Sequence, residues 1–258
     1  MTSPKHDARD ADAIGEAVPR PTRRVVPITR VEPQDLQARH RIRARLINAR
    51  TALVHASRGL LNAYGMVLPQ RMATCRALIV DKLETDQAKL TALSPEVCWH
   101  LYDAFRAVEQ RLAYDDEKLA AMGQAPPACQ RLQTIPGIGP VSATALSAAI
   151  GDVTQVKNGR QLAAGLGWVP REHATGGTPR WLGIRQRGDG YLRTLWVHGA
   201  HATRRGIETQ HDERSQWLTA LMARRGKNRA AVALANKNAR IVWALLAHNE
   251  AYRARTAV

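Results

Sequence analysis

Between residues 42 and 60 the apolar side chains fall at Ile42, Leu46, Ala49, Leu53, Ala56 and Leu60, in alternating steps of four and three. A strand would repeat every two residues, whereas this period is helical and forms the seam of a coiled coil. "YGMVLPQ" breaks the seam. Ile79, Leu83, Leu90 and Leu93 resume it, interrupted by Asp86, and after Pro95 it runs through Val97, Leu101, Ala104, Val108 and Leu112. Helices joined by short breaks predict an antiparallel hairpin or small bundle over 34–122. Upstream, "EAVPRPTRRVVPITRVEPQ" carries four prolines and reads as an extended connector. Downstream, "GQAPPACQ" reads as a linker into a domain over 128–258. There "RQLAAGLG", "DGYLRTLWVHGAHATRR", "RSQWLTALMARR" and "RAAVALANKNARIVWALLAH" read as helices, and "PRWLGI" alone hints at a strand. The expected fold is therefore mainly α: a helical coiled-coil hairpin followed by a helical domain.

Formal net charge is +16, unevenly placed. From Leu36 to Val80 there are eight arginines and no acid; from Asp81 to Lys118, nine acids and five basic residues; from Pro179 onward, fifteen basic residues and five acids. This balance points to a polyanionic partner, DNA or RNA. The acidic second arm can lie against the basic first. Cys75, Cys98 and Cys129 lack any CxxC spacing, so neither a disulfide framework nor a zinc site is expected, which suits a reducing cytoplasm. No apolar run reaches the roughly 20 residues that span a membrane, and "MTSPKHDARD" has no secretory h-region.

"QTIPGIGPVSATALSAAI" is the most informative local stretch. Pro136, Gly137, Ile138 and Gly139 make a turn whose glycines permit positive φ, and Pro140 suits a first helical turn. Backbone N–H groups at such a helix start favour phosphate. The stretch resembles the helix-hairpin-helix motif of DNA repair and recombination proteins, which holds the DNA backbone without reading bases; a plain turn between helices is the alternative. Further on, Thr175 stands before two glycines in an expected loop, with Arg171, Arg180, Arg185, Arg187 and Arg193 around it in sequence. A hydroxyl among arginines is either a nucleophile toward phosphate or a loop residue with phosphate-contacting neighbours. His173, His198 and His201 are bases in the first reading and structural histidines in the second.

"TIPGIGPVSATALSAAIGDVTQ", "GRQLAAGLGWVPREHATGG", "RGDGYLRTLWVHGA" and "VALANKNARIVWALL" resemble, in that order, the C-terminal domain of the IS110 family of insertion-sequence transposases. "QDLQARHRIRARLINARTALV" and "RGLLNAYGMVLPQ" resemble its coiled-coil middle, and "HDARDADAIGEAVPRPTRRVVPI" the end of its RuvC-like domain. The resemblance implies a bacterial DNA transposase, guided by an RNA from its own element and acting as a homo-oligomer. It implies an Asp-Glu-Asp-Asp tetrad binding Mg²⁺, whose last two aspartates match Asp7 and Asp10. On this reading residues 1–33 are a remnant of the metal domain and its connector. It also implies a nucleophilic serine at the position of Thr175, where the β-methyl crowds the attacking oxygen. The expectation is a truncated, catalytically impaired transposase. A non-enzymatic nucleic-acid-binding remnant, or a helical assembly partner of an intact transposase, is the alternative.

Overall fold

The computed structural model describes residues 7–21, 28, 30–86, 90–175, 177–185, 187–207 and 212–254; the side chains at 8, 9, 72, 73, 75, 175 and 179 lie outside that description. The chain divides into a small unit, Met1–Val31, and a large one, Glu32–Val258. In the small unit α1 (Asp7–Ala17) carries Asp7 and Asp10 in its first turn, where carboxylates complement the positive helix end.

The large unit is helical apart from one two-stranded sheet among the described residues. α2 (Val31–Ala63), α3 (Met72–Thr85) and α4 (Ser94–Met122) form the arm. α2 begins inside the expected connector: Pro33 sits in its first turn, where a missing N–H costs nothing. α2 and α4 run antiparallel, because Arg39 Nη1 donates to Asp115 Oδ1 (2.7 Å), Arg43 pairs with Asp116, and Tyr64 bonds Ser94 near the opposite end. Arg76 of α3 donates to Glu109 (3.1 Å). The acidic arm thus lies against the basic one.

On α2, and at Cys98 and Phe105 of α4, the buried stripe lies about one residue past the expected seam, whereas Ile79, Leu83 and Leu112 of that seam are buried. On α2 the buried positions are His40, Val54, Ser57 and Leu61; on α4 they include Cys98, Phe105, Leu112 and Leu119, seven apart. Leu53 and Leu60 flank that core, but Ile42 is 53% exposed. The cause is a change of partner along α2. Its second half packs on the apolar side chains of α3 and α4, whereas its first half meets the following domain through His40.

That domain contains α5 (Pro127–Gln133), α6 (Pro140–Ile150), a 3₁₀ turn (Val153–Gln155), α7 (Gly159–Gly165), β1 (Pro170–Thr175), β2 (Thr178–Ile184), α8 (Gly190–Arg205), α9 (Glu213–Arg225) and α10 (Lys227–His248). α5 starts inside the expected linker. α10 is the central post, packing on α5, α7, α8 and α9. Its face Ala230, Ala231, Leu234, Ala235, Ala239 and Val242 is fully buried. Small side chains let helices approach closely: a Cβ on Gly159 would stand 2.8 Å from the Arg240 Cα. Truncating Leu234 to Ala in such a core costs about 2–5 kcal/mol.

Candidate nucleic-acid interface

β1 and β2 form an antiparallel ribbon with Glu172 opposite Trp181, His173 opposite Arg180, Ala174 opposite Pro179 and Thr175 opposite Thr178; a bulge falls between Pro170 and Glu172. Thr175, expected in a loop, is instead the last residue of β1. Gly177, just before β2, has φ +80°, as tight hairpin turns require. Gly176 and the Thr175 side chain lie outside the described residues. Since faces alternate along a strand, positions 173, 175, 178 and 180 share one face and 172, 174, 179 and 181 the other. The strands pack chiefly on each other, so both faces meet solvent.

The ribbon is fixed at its base. Arg185 N donates to Val169 O (2.8 Å). Gly167 (φ +77°) and Gly188 (φ +88°) bring the segments before and after the ribbon together, and a Cβ on either would collide with Arg187 O or Gly165 O. Arg193 Nη1 donates to Leu166 O (3.3 Å) and Arg187 O (3.1 Å), tying both segments to α8. Asp189 caps α8, accepting from Tyr191 N (2.7 Å) and Leu192 N (3.2 Å).

The five arginines singled out by sequence thus fall into two groups. Arg171, Arg180, Arg185 and Arg187 are exposed and in no ion pair among the described residues. Arg193 is half-buried, with one nitrogen committed to carbonyls. Glu172 is the only acid between Pro170 and Gly188, so the ribbon is a cationic finger.

The Pro136–Gly139 turn joins α5 to α6. Gly137 (φ +93°) faces α8, and a Cβ there would stand 2.7 Å from Gly199 O. Ile138 is buried in the core. Pro136 O accepts from the buried Arg214 (Nη2, 2.9 Å) and Asn238 (Nδ2, 3.4 Å). Gly139, by contrast, is exposed with open space at its Cα, and it leads into the first turn of α6. Only this end of the turn offers backbone to a partner. His198 is exposed and His201 half-buried on α8; burial, then Arg204, His198 and Arg205, lower the pKa of His201.

Asp7 and Asp10 are both exposed, and no group of three or more His, Cys, Asp or Glu is placed to hold a metal among the described residues. Mg²⁺ needs near-octahedral oxygen ligation, which two solvated carboxylates on one helical turn do not supply. The described residues therefore do not fit the expected Mg²⁺ site.

Sequence reading missed a polar joint between arm and domain. His40 is 4% exposed. Its Nδ1 lies 3.0 Å from Tyr191 Oη and its Nε2 3.1 Å from Thr144 Oγ1. Thr144 donates onward to Pro140 O (2.9 Å), and Arg43 Nη1 donates to Tyr191 Oη (3.4 Å). The chain Arg43→Tyr191→His40→Thr144→Pro140 assigns a neutral imidazole protonated at Nε2. Burial, then the Arg43 charge, hold the His40 pKa down at about 4, while Asp116 and Asp189 pull weakly upward. Gln37 Nε2 adds a bond to Ala148 O (2.8 Å). The only sequence signal was a histidine in an arginine run.

The free cysteines Cys98 and Cys129 are buried, and burial raises both thiol pKa values; such thiols are inert. No helix among the described residues is long and apolar enough to cross a membrane.

The family described as Transposase IS116/IS110/IS902 matches residues 129–216, which hold the turn, the ribbon and α8. A protein of Pseudomonas aeruginosa named "Probable family 20 transposase" is 47% identical over 250 residues, covering 96% of this chain and 74% of that one. The transposase for insertion sequence element IS1111A of Coxiella burnetii is 43% identical over 253 residues, 98% of this chain and 70% of its own. The transposase for insertion sequence element IS1328 of Yersinia enterocolitica is 33% identical over 251 residues, 94% and 72%. This chain belongs to the IS116/IS110/IS902 transposase family.

Proposed function

We propose that this chain is a DNA-binding transposase of an insertion sequence, acting in the bacterial cytoplasm, whose covalent chemistry is impaired. The observation that carries the DNA reading is the ribbon: four exposed, unpaired arginines around Thr175 on an element that packs mainly on itself. Phosphates neutralised there release counterions, so binding is sequence-tolerant and falls with salt. Gly139 and the start of α6 add a second backbone contact. Exposed Arg41 and Arg45 of α2 suit a guide RNA, and the exposed flank of the arm around Ile42 suits a second copy.

Thr175 is the candidate attacking hydroxyl, with Arg171, Arg180, Arg185 and Arg187 balancing charge at the phosphate. Its β-branch restricts χ1 where a serine would turn freely, and this slows attack. The test combines the chain with labelled DNA bearing the element's end, guide RNA and Mg²⁺. A native gel is expected to show a complex that salt dissolves, and a denaturing gel no protein-linked strand. A linked strand that vanishes in Thr175→Ala would overturn the impairment and establish Thr175 as the nucleophile.

A further inference from the structure

Trp181 sits at the centre of β2 with 65% of its surface in water. The chain has six tryptophans. Trp168 and Trp196 are buried in the core and the other three are half-buried. Trp243 donates Nε1 to Val156 O (2.7 Å), and Trp217 receives the Lys237 ammonium 4.5 Å from its ring centre. Each of these has an evident folding role. Among the described residues Trp181 makes no side-chain hydrogen bond, ring contact or cation contact, and its cross-strand partner is Glu172. Leu182, on the other face, is also 43% exposed. Two large apolar side chains in water on a two-stranded ribbon, itself marginal alone, call for a partner.

Charge selects that partner. Arg180 adjoins Trp181 in sequence on the ribbon's other face, Arg171 lies beyond Glu172, and Arg185 closes the ribbon base, so the ribbon as a whole is cationic. An apolar protein surface gains nothing from four arginines, whereas a nucleic acid supplies phosphates for them and a flat π-face for the indole. A base within an intact duplex shows only its edges in the grooves. Its face becomes available when it is unstacked, and aromatic platforms hold such bases sequence-tolerantly. Position 175 belongs to the other face of the same ribbon.

We infer that Trp181 is a stacking platform for an unpaired base of the DNA strand held on the β1–β2 ribbon. This rests on the DNA-binding reading above. Phosphates engage the arginines, while the indole takes one base out of the stack, the Glu172 carboxylate repelling backbone from that position. An opened strand is thereby preferred over a closed duplex.

The experiment compares two labelled DNAs of one sequence, fully paired and carrying a short central bubble. The wild type, Trp181→Ala and Trp181→Phe are titrated by fluorescence anisotropy, with circular dichroism and sedimentation in parallel. The wild type should prefer the bubble. Trp181→Ala should lose about 5- to 150-fold on the bubble, the range for one stacked base, keep its affinity for paired duplex, and keep its helicity. Trp181→Phe should retain most of the preference. If the wild type binds neither DNA, the DNA-binding reading itself falls. If both DNAs bind and Trp181→Ala changes neither, the stacking inference is overturned while DNA binding stands. A Trp181→Ala protein that changes in mass but not in DNA affinity assigns the ring to a contact between copies and overturns it. Tighter Trp181-dependent binding of an RNA strand of the same sequence also overturns it.

Discussion

Two parts of the large unit use arginine in opposite ways. At the joint, Arg39 and Arg43 are partly buried and paired with Asp115 and Asp116, on a helix more than seventy positions away. On the ribbon, Arg171, Arg180, Arg185 and Arg187 stand in water with one carboxylate among them. A count of basic residues treats the two alike. The fold separates them: the joint's positive charge is spent inside the protein, and the ribbon's is free for a polyanion. The arginine-rich first arm is thus less available to nucleic acid than its sequence suggests, and the less basic ribbon is more so.

The largest effect that separates them is on DNA binding. Replacing Arg171, Arg180, Arg185 and Arg187 together by Gln should reduce the slope of log affinity against log salt by roughly three to four, since each phosphate contact contributes about 0.9. Affinity at moderate salt should fall by orders of magnitude while the melting temperature stays put. Replacing Arg39 and Arg43 should do the reverse, lowering the melting temperature and leaving the salt slope near the wild-type value. If both quadruple and double variants lose the slope equally, the distinction between regions fails.

A smaller, pH-dependent effect belongs to the joint. The His40 pKa is held near 4 in the folded chain against 6.5 when free. Between those values the unfolded chain binds the proton and the folded chain does not, so stability rises with pH. The contribution is complete above about 6.5, lost as pH falls toward about 4, and flat below. Denaturant titrations across that window should show the slope, and His40→Gln, which keeps a donor and an acceptor, should flatten it. Tyr191→Phe, which strands His40 Nδ1 and an Arg43 N–H, should cost about 1–3 kcal/mol at neutral pH. An unchanged slope in His40→Gln would remove His40 as its source.

The helices were legible because apolar spacing survives any partner, but the choice of face was not. His40 replaces the apolar seam where α2 changes partner, and only the tertiary arrangement reveals that change. The strand "PRWLGI" was visible from its aromatic and branched residues. Its mate "PREHAT" was not, because a ribbon wet on both faces has no alternation to read. The turn at Gly137 was recognised as special, yet one reason for the glycine is Gly199 of α8, whose stretch was legible as a helix but not as the turn's neighbour. The joint left almost no trace, since His40 reaches Thr144 and Tyr191 across 104 and 151 positions.

Asp189 belongs to both regions and gives the smallest, most discriminating prediction. Its carboxylate caps α8 beneath the ribbon, and its charge also acts on His40. Asp189→Ala should cost about 1 kcal/mol, the usual worth of an N-cap. Asp189→Asn keeps the cap and removes the charge, so neutral-pH stability should hold. The acid limb of the stability curve should then extend to lower pH, because one of the influences raising the His40 pKa is gone. If DNA lies along the ribbon down to its base, loss of this charge also relieves repulsion of a phosphate. At ~10 Å in water that is worth about 0.4 kcal/mol before screening, at most a two-fold gain in affinity, vanishing at high salt. A gain seen at low salt only, with the cap intact, places phosphate at the foot of the ribbon; no gain confines DNA to the outer arginines and to Trp181.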